Sequence, residues 1–442
     1  MTFHDLNLNK SLLNALDDIG VKEPTAIQQK VFSPIMAGND VVGVAQTGTG
    51  KTYAYLLPSL RLWKFSKSPA PQILIMVPTR ELVAQVVEEV NKLTAYLNFQ
   101  TVGVYGGTNI KVQIAAVEAG CDLVVGTPGR LLDLMLKGAL RTKQIKRLII
   151  DEVDEMLNQG FRTQLNNILQ YLPTKRQNLM FSATMPADVE QVVNAYTDYY
   201  KKIETAPSGA PLENIEQSAY QVNNFNTKAN LLELLLNRDD DMGKVLVFVS
   251  TKKMADALYE RMQTNFEEKL GVIHSSKSQN NRFNTVNSFQ DGSYRFIIAT
   301  DVIARGLDVS KVTHVVNFDM SPVAESYIHR IGRTGRADKK GIAISFVSEV
   351  EVPYQKQIEE LMGIEIPMVE NPEGLIISEE LIPLEVPDDY VPFNYHKMKG
   401  PKISGDAFHE KSDKNKKENN KVHYETKMQK KYKKQYRPKD RR

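Results

Sequence analysis

The chain has 442 residues, 42% hydrophobic and 25% charged, a formal net charge of +3 and a single cysteine. That length calls for more than one domain, each with a full core, and the ordinary apolar and charged fractions exclude dominant disorder. One cysteine excludes an internal disulfide and a cysteine-rich zinc site, and no apolar run reaches the ~18 residues of a membrane span.

Taken in chain order, Met1 to Gly20 shows neither the basic start nor the apolar core of a leader, so a soluble, cytoplasmic protein with no membrane partner is expected. Short β-branched runs then recur with helical stretches between them: DVVGVA (40–45), QILIMVP (72–78), TVGVYGG (101–107), DLVVGTP (122–128), RLIIDE (147–152) and NLMFSAT (178–184). Continuous apolar runs of this length read as parallel strands buried on both faces. Cys121, in CDLVVG, reads as a small buried residue rather than a nucleophile. APSGAPLEN (206–214) has the Pro, Gly and Ser of a linker. A second set follows: KVLVFVS (244–250), LGVIH (270–274), FIIATD (296–301), HVVNFD (314–319) and GIAISFV (341–347). Two α/β domains are the economical reading, at 1–205 and 217–366, joined by a linker at 206–216. The end of the chain divides by charge. Glu349 to Tyr390 holds 12 acids and one Lys, whereas Lys397 to Arg442 holds 17 Lys and Arg against 6 acids. These blocks predict an acidic extension at 367–396 and a disordered basic tail at 397–442.

AQTGTGKT (Ala45, Gln46, Thr47, Gly48, Thr49, Gly50, Lys51, Thr52) follows a strand and precedes an apolar helical stretch. It matches a phosphate loop with Ala45 in place of the first Gly. In such a loop the glycines let backbone N–H groups surround phosphates, Lys51 reaches the terminal ones, and Thr52 offers a hydroxyl to Mg²⁺. RLIIDEVDEML brings acids to the end of a buried strand: Asp151 is expected to hold the metal and Glu152 to orient or deprotonate the attacking water. Without the phosphate loop, these acids would read only as a favourable helix N-terminus. HRIGRTGR (329–336) would alone read as a basic patch; beside a nucleotide site, Arg333 and Arg336 become arginines for the charge that builds on the γ-phosphate. Because they lie in the second domain, hydrolysis is expected to require domain closure.

The ordered set of motifs resembles the DEAD-box ATP-dependent RNA helicases of superfamily 2 over roughly residues 1 to 350. Beside AQTGTGKT and HRIGRTGR stand GVKEPTAIQ (20–28), PTREL (78–82), Gly106 with Gly107, TPGR (127–130), SAT (182–184) and ATDVIARGLD (299–308). The resemblance implies two tandem RecA-like domains, each a mainly parallel sheet flanked by helices, ahead of the basic tail. It implies ATP and Mg²⁺ as cofactors, with Phe3 stacking on adenine, Gln28 reading its edge, and Gly306 and Asp308 approaching the nucleotide from the second domain. Asp154, Ser182, Thr184 and His329 would couple hydrolysis to strand separation, and Arg330 would serve interdomain contacts. Pro78, Thr79, Arg80, Gly106, Gly107, Thr127, Gly129 and Arg130 would contact RNA in the first domain, and Thr251, Gln279, Arg282 and Thr300 in the second. Hydroxyls, guanidiniums and glycine amides suit phosphate and sugar, so recognition of single-stranded and duplex RNA is expected to be largely sequence-independent. Ribosomal RNA or ribosome assembly intermediates are candidate partners, and a monomer is expected. Two departures stand out: Val153 where the family has Ala, and HSSKSQNNR (274–282) without the usual Gly after His. If Val153 perturbs the site, the alternative is an ATP-gated RNA clamp with slow hydrolysis, acting as an assembly platform. The basic stretch Lys411 to Arg442, interleaved with Tyr424, Tyr432 and Tyr436, reads either as a tether for RNA or as a solvated, nonspecific tail.

Overall fold

The computed structural model of the chain describes residues 1–46, 48–205, 214–238, 241–301, 312–335 and 340–386. Strands of the first half are β1 (Asp40–Val44), β2 (Ile73–Met76), β3 (Thr101–Val104), β4 (Leu123–Gly126), β5 (Arg147–Ile150), β6 (Gln177–Ser182) and β7 (Tyr200–Glu204). Its helices are α1 (Lys10–Ile19), α2 (Ala26–Met36), α3 (Lys51–Arg61), α4 (Arg80–Leu93), α5 (Ile110–Glu118), α6 (Pro128–Leu136), α7 (Val153–Asn158), α8 (Arg162–Leu169) and α9 (Ala187–Tyr196). The second half has β8 (Ile215–Gln221), β9 (Val245–Val249), β10 (Leu270–Ile273), β11 (Phe296–Thr300), β12 (His314–Asn317), β13 (Gly341–Val347) and β14 (Met368–Val369). With them come α10 (Phe225–Arg238), α11 (Lys252–Phe266), α12 (Gln279–Gln290), α13 (Ala324–Ile331) and α14 (Val352–Met362).

The two sheets run β3-β4-β2-β5-β6-β1-β7 and β10-β11-β9-β12-β13-β8-β14, with parallel pairing throughout. Numbered within its own half, each reads 3-4-2-5-6-1-7, so one topology occurs twice, as tandem RecA-like domains require. Each apolar run serves two cores. In β2, Ile73 and Ile75 pack with Val41 and Leu179 on one face, while Leu74 and Met76 pack with Val42 and Ile150 on the other. Removing such a Leu or Ile side chain costs about 2–5 kcal/mol, because the site collapses only partly. Cys121 is buried as expected, and burial pushes its thiol up to about 12, which leaves no thiolate at neutral pH. No described helix is long and apolar enough to cross a membrane.

Two boundaries differ from the sequence reading. Ile215 and Glu216 belong to β8, so the second domain starts inside the expected linker. At the other end, β14 pairs with β8, and the chain then runs as a strap along α10 up to Val386. Leu375 and Ile382 of this strap pack on the core, and the Asn226 and Asn230 amides donate to the Glu380 and Ile376 carbonyls at 2.9 and 2.8 Å. Glu385 Oε1 accepts from the Phe225 N–H at 2.5 Å, at the start of α10. The domain therefore does not stop at 366. The strap escapes a periodicity search because side chains of α10 hold it mainly by its backbone carbonyls. Residues 206–213 of the linker, 387–396 of the acidic extension and the tail at 397–442 lie outside the described residues.

A buried ion cluster anchors the second domain. Lys228 lies 3.3 Å from Asp319 and 2.7 Å from Glu351, and Glu351 also accepts from the Met320 N–H at 2.9 Å and the Ser348 hydroxyl at 2.6 Å. One ammonium faces two carboxylates, and N–H and hydroxyl donors, among them the Ser250 N–H on Asp319 at 2.8 Å, meet the remaining charge, which is the condition for tolerating ions away from water.

Candidate active site and nucleic-acid groove

The nucleotide cleft forms at the carboxyl ends of β1 and β5, where open α/β sheets place ligands. Gly48 and Gly50 adopt φ of 80° and 86°, and a Cβ at Gly50 would collide with the Gln28 amide. Only glycine therefore lets the loop turn back into α3. Lys51 Nζ donates to the Ala45 carbonyl at 2.8 Å, and Thr49 Oγ1 donates to the Gln46 carbonyl at 2.7 Å. Gln28 Nε2 donates to the Gly50 carbonyl and Gln28 Oε1 accepts from the Thr25 N–H, both at 3.0 Å. One amide N–H and one lone pair of Gln28 stay available for a base edge.

Asp151 and Glu152 are buried at the end of β5. Glu152 is the one non-glycine among the described residues with positive φ, 52°, and its N–H donates to Asp151 Oδ1 at 2.9 Å. The left-handed turn separates the two carboxylates at the cost of local strain. Burial raises the Asp151 pKa against the pull of Lys51, and burial pushes Glu152 up to about 7 against the pull of Arg333. A cleft of about 280 Å³ is lined by Gln28, Gly48, Gly50, Lys51, Thr52, Asp151, Glu152 and, from the second domain, Arg333. Tyr53, Leu82, Gln85 and Glu89 complete its wall, with the Tyr53 hydroxyl donating to Glu89 at 2.6 Å. Sequence reading missed these four, because nothing in their spacing separates a cleft wall from a helix surface.

Asp154 is the hub between the halves. Its Oδ2 accepts from the Ala183 N–H, the Thr184 N–H and the Thr184 hydroxyl at 3.2, 3.0 and 2.9 Å, and Ser182 Oγ accepts from the Asp154 N–H at 3.2 Å. His329 Nε2 of α13 lies 3.5 Å from the same carboxylate, across the domain boundary. Burial works to raise the Asp154 pKa, but His329 and the Thr184 hydroxyl outweigh it and hold the group ionised. The four residues expected to couple the domains are thus in one place.

A second groove, of about 460 Å³, runs along the domain junction. Pro78, Thr79, Arg80, Gly106, Thr127, Gly129 and Arg130 line it from the first domain, and Ser275, Lys277 and Arg282 from the second. The Arg80 guanidinium lies over Gly107, whose φ of 78° and close approach leave no room for a Cβ. Arg130 is already committed, donating to Gln113 Oε1 at 2.8 Å and the Thr108 carbonyl at 3.1 Å. At one end Glu81 Oε1 accepts from Gln279 Nε2 at 2.9 Å and pairs with Arg282 Nη2 at 2.5 Å, while Arg80 Nη1 donates to Gln279 Oε1 at 3.3 Å. Gln279 and Arg282, expected on RNA, therefore also form a latch between the domains through Glu81, a residue sequence reading did not single out.

The DEAD/DEAH box helicase family model matches residues 25–192, and the helicase conserved C-terminal domain model matches residues 227–338. The ATP-dependent RNA helicase DbpA of Bacillus subtilis is 37% identical over 370 residues, covering 84% of this chain and 76% of the relative. The chain belongs to the DEAD-box helicase family. The DEAD-box ATP-dependent RNA helicase CshA of Geobacillus kaustophilus is 38% identical over 358 residues, covering 81% of this helicase and 76% of the relative. Among solved structures, S. cerevisiae Dbp5 bound to RNA and ADP BeF3 superposes with a TM-score of 0.77 at 29% identity, covering 84% of this chain and 96% of that one.

Some residues that the family resemblance assigns to the helicase's sites lie elsewhere. Phe3 is 2% exposed and packed in the first domain's core, outside the cleft lining. Thr251 Oγ1 accepts from the Met254 N–H at 3.2 Å, capping α11, and Thr300 ends β11; both lie outside the groove lining. Arg330 is not an interdomain residue: fully buried, it pairs with Asp301 within its own domain at 2.8 Å and stacks on Phe248. Its guanidinium is consumed by the fold, which spacing within HRIGRTGR does not reveal. Val153 is buried in the core beneath the cleft rather than lining it. Thr47, Gly306, Asp308 and Arg336 lie outside the described residues.

Proposed function

We propose that this ATP-dependent RNA helicase hydrolyses ATP at the composite cleft and binds RNA along the junctional groove, each site being completed when the two domains meet. The observation carrying this reading is that Arg333 of the second domain lines the same cleft as Lys51, Asp151 and Glu152 of the first. Glu152, with its pKa near 7, is suited to take a proton from the attacking water as the bond between the γ-phosphorus and the bridging oxygen breaks, releasing ADP and phosphate. Lys51 and Arg333 face the negative charge that develops on the transferring group. Among the described residues no cluster of three His, Cys, Asp or Glu side chains forms a metal cage. The Thr52 hydroxyl and Asp151 carboxylate instead fit Mg²⁺, a hard cation that takes its remaining ligands from phosphate oxygens and water. When bound, that ion supplies charge neutralisation between the phosphates.

Groove side chains such as Thr79, Arg80 and Thr127 offer hydroxyls and a guanidinium to phosphate and ribose, which supports binding with little sequence preference. Asp154, held by Thr184 and facing His329, is positioned to pass the state of the cleft to the groove. Val153 adds its methyl groups to the core and not to the cleft, which favours turnover over a slow clamp. The basic tail supports a tether to structured RNA, ribosomal RNA included, in a cytoplasmic monomer. A steady-state ATPase assay with and without RNA tests the central reading. Strong RNA stimulation in the parent and its loss in Glu152→Gln, with RNA binding retained, are expected; equal turnover in both proteins would refute the assignment.

A further inference from the structure

We infer that a polar pocket on the second domain, between α11, α12 and the edge strand β10, seats an unstacked nucleotide of RNA leaving the groove; this rests on the groove reading above. The pocket, of about 330 Å³, is lined chiefly by Tyr259, Tyr294, Asn281, Asn284, Ser288 and Lys277, and no carboxylate is among its lining residues. Lys277 lines both this pocket and the junctional groove, so the two adjoin at one residue. Asp256 and His274 steady that corner, with Lys277 Nζ 3.0 Å and His274 Nε2 2.9 Å from Asp256 Oδ1.

The sequence of α12 points the same way. QNNRFNTVNSFQ holds four Asn, with Arg282 its one charged residue, and only Arg282 and Phe289 are buried. Asn is a poor helix former, because its amide competes for the backbone. A helix serving only as solvated surface has no need of that composition. Asn281, Asn284 and Ser288, spaced by three and four residues, share one face and turn donors and acceptors without net charge into the pocket. The floor is equally specific. A Cβ at Gly271 of β10 would meet Thr285 Cγ2 at 2.5 Å and Tyr294 Cδ2 at 2.9 Å, so glycine lets Tyr294 close over the strand. Aromatic rings, neutral amides and hydroxyls, with no carboxylate in the lining and the one nearby, Asp256, paired with Lys277 at the mouth, form the set that recognises a splayed nucleotide.

The test uses the full chain and fluorescent oligouridylates lengthened one nucleotide at a time beyond the shortest that stimulates ATP hydrolysis. In the parent, affinity is expected to rise at least about fivefold at one step, the lower end for one base stacked on a protein aromatic ring. Asn284→Asp places a carboxylate in the pocket at constant volume and is expected to abolish that step, while binding of the shortest RNA and its ATPase stimulation stay at parent levels. Tyr294→Leu is expected to do the same, and 4-thiouridine at the added position is expected to crosslink to the peptide containing Tyr294. An identical length dependence in parent and variants, or crosslinks confined to groove residues, overturns the pocket. Failure of the shortest RNA to bind the parent overturns the groove reading, and this inference with it.

Discussion

Replacing Glu81 with Ala leaves Arg282 a buried cation without its carboxylate. In the intact protein the pair meets at 2.5 Å with side chains 5% and 10% exposed, and Gln279 donates to the same oxygen. Removing one member of such a pair costs about 3–5 kcal/mol, mostly through the charge left behind. Glu81 and Arg282 belong to different domains, each with its own sheet and cores, so the cost falls on docking of the domains rather than on folding of either. At about 3 kcal/mol the ratio of docked to undocked molecules falls roughly 150-fold. Donor and acceptor dyes on the two domains, read in the presence of RNA and a non-hydrolysable ATP analogue, measure that ratio directly. Adding Arg282→Met to Glu81→Ala removes the stranded charge and is expected to restore a large part of docking. An unchanged docked population in Glu81→Ala, or an equal loss of thermal stability in each isolated transition, would refute the reasoning.

Arg333→Ala is expected to lower single-turnover hydrolysis by about 10³ to 10⁵-fold with nucleotide binding largely kept; a loss below tenfold would remove Arg333 from the reacting end of the cleft. Gln28→Ala removes both the bond to the Gly50 carbonyl and the cap on the Thr25 N–H. It is expected to raise the KM for ATP and reduce ATP-over-GTP selectivity, with a stability loss of about 1 kcal/mol seen in urea unfolding. Glu351→Ala leaves Lys228 with Asp319 alone and strands the buried Met320 N–H, and is expected to destabilise the second domain by about 1–3 kcal/mol, reported by chemical denaturation, while leaving the first domain's transition in place.

How much of this was legible depended on whether a residue's partners lie near it in sequence. β1 to β6 and β9 to β13 are continuous apolar runs, and the phosphate loop carries its own geometry in Gly48, Gly50 and Lys51. β7 is mostly polar, β8 alternates, and β14 has two residues, so no run marks them. Asp154, Ser182, Thr184 and His329 were assigned through family motifs, and they converge. Arg330 and Arg333 are three residues apart and chemically alike, yet one is spent on Asp301 and the other faces the cleft. Only the packing of α13 separates them. Glu81 carries no mark in the sequence, because its partners, Gln279 and Arg282, lie some two hundred residues away and nothing local signals the pairing.

The shared strand order gives the start of α10 a counterpart in the start of α3. That helix follows β8 as α3 follows β1, so its first turn holds the place in the strand order that the start of α3 holds in the first domain. Here the resident anion belongs to the chain itself: the Glu385 carboxylate sits on the Phe225 N–H. The start of α3 borders an open cleft, while the start of α10 is filled by a side chain of its own domain. With that place filled, the second domain instead contributes Arg333 to the cleft of the first, which makes an asymmetric machine from two equal folds.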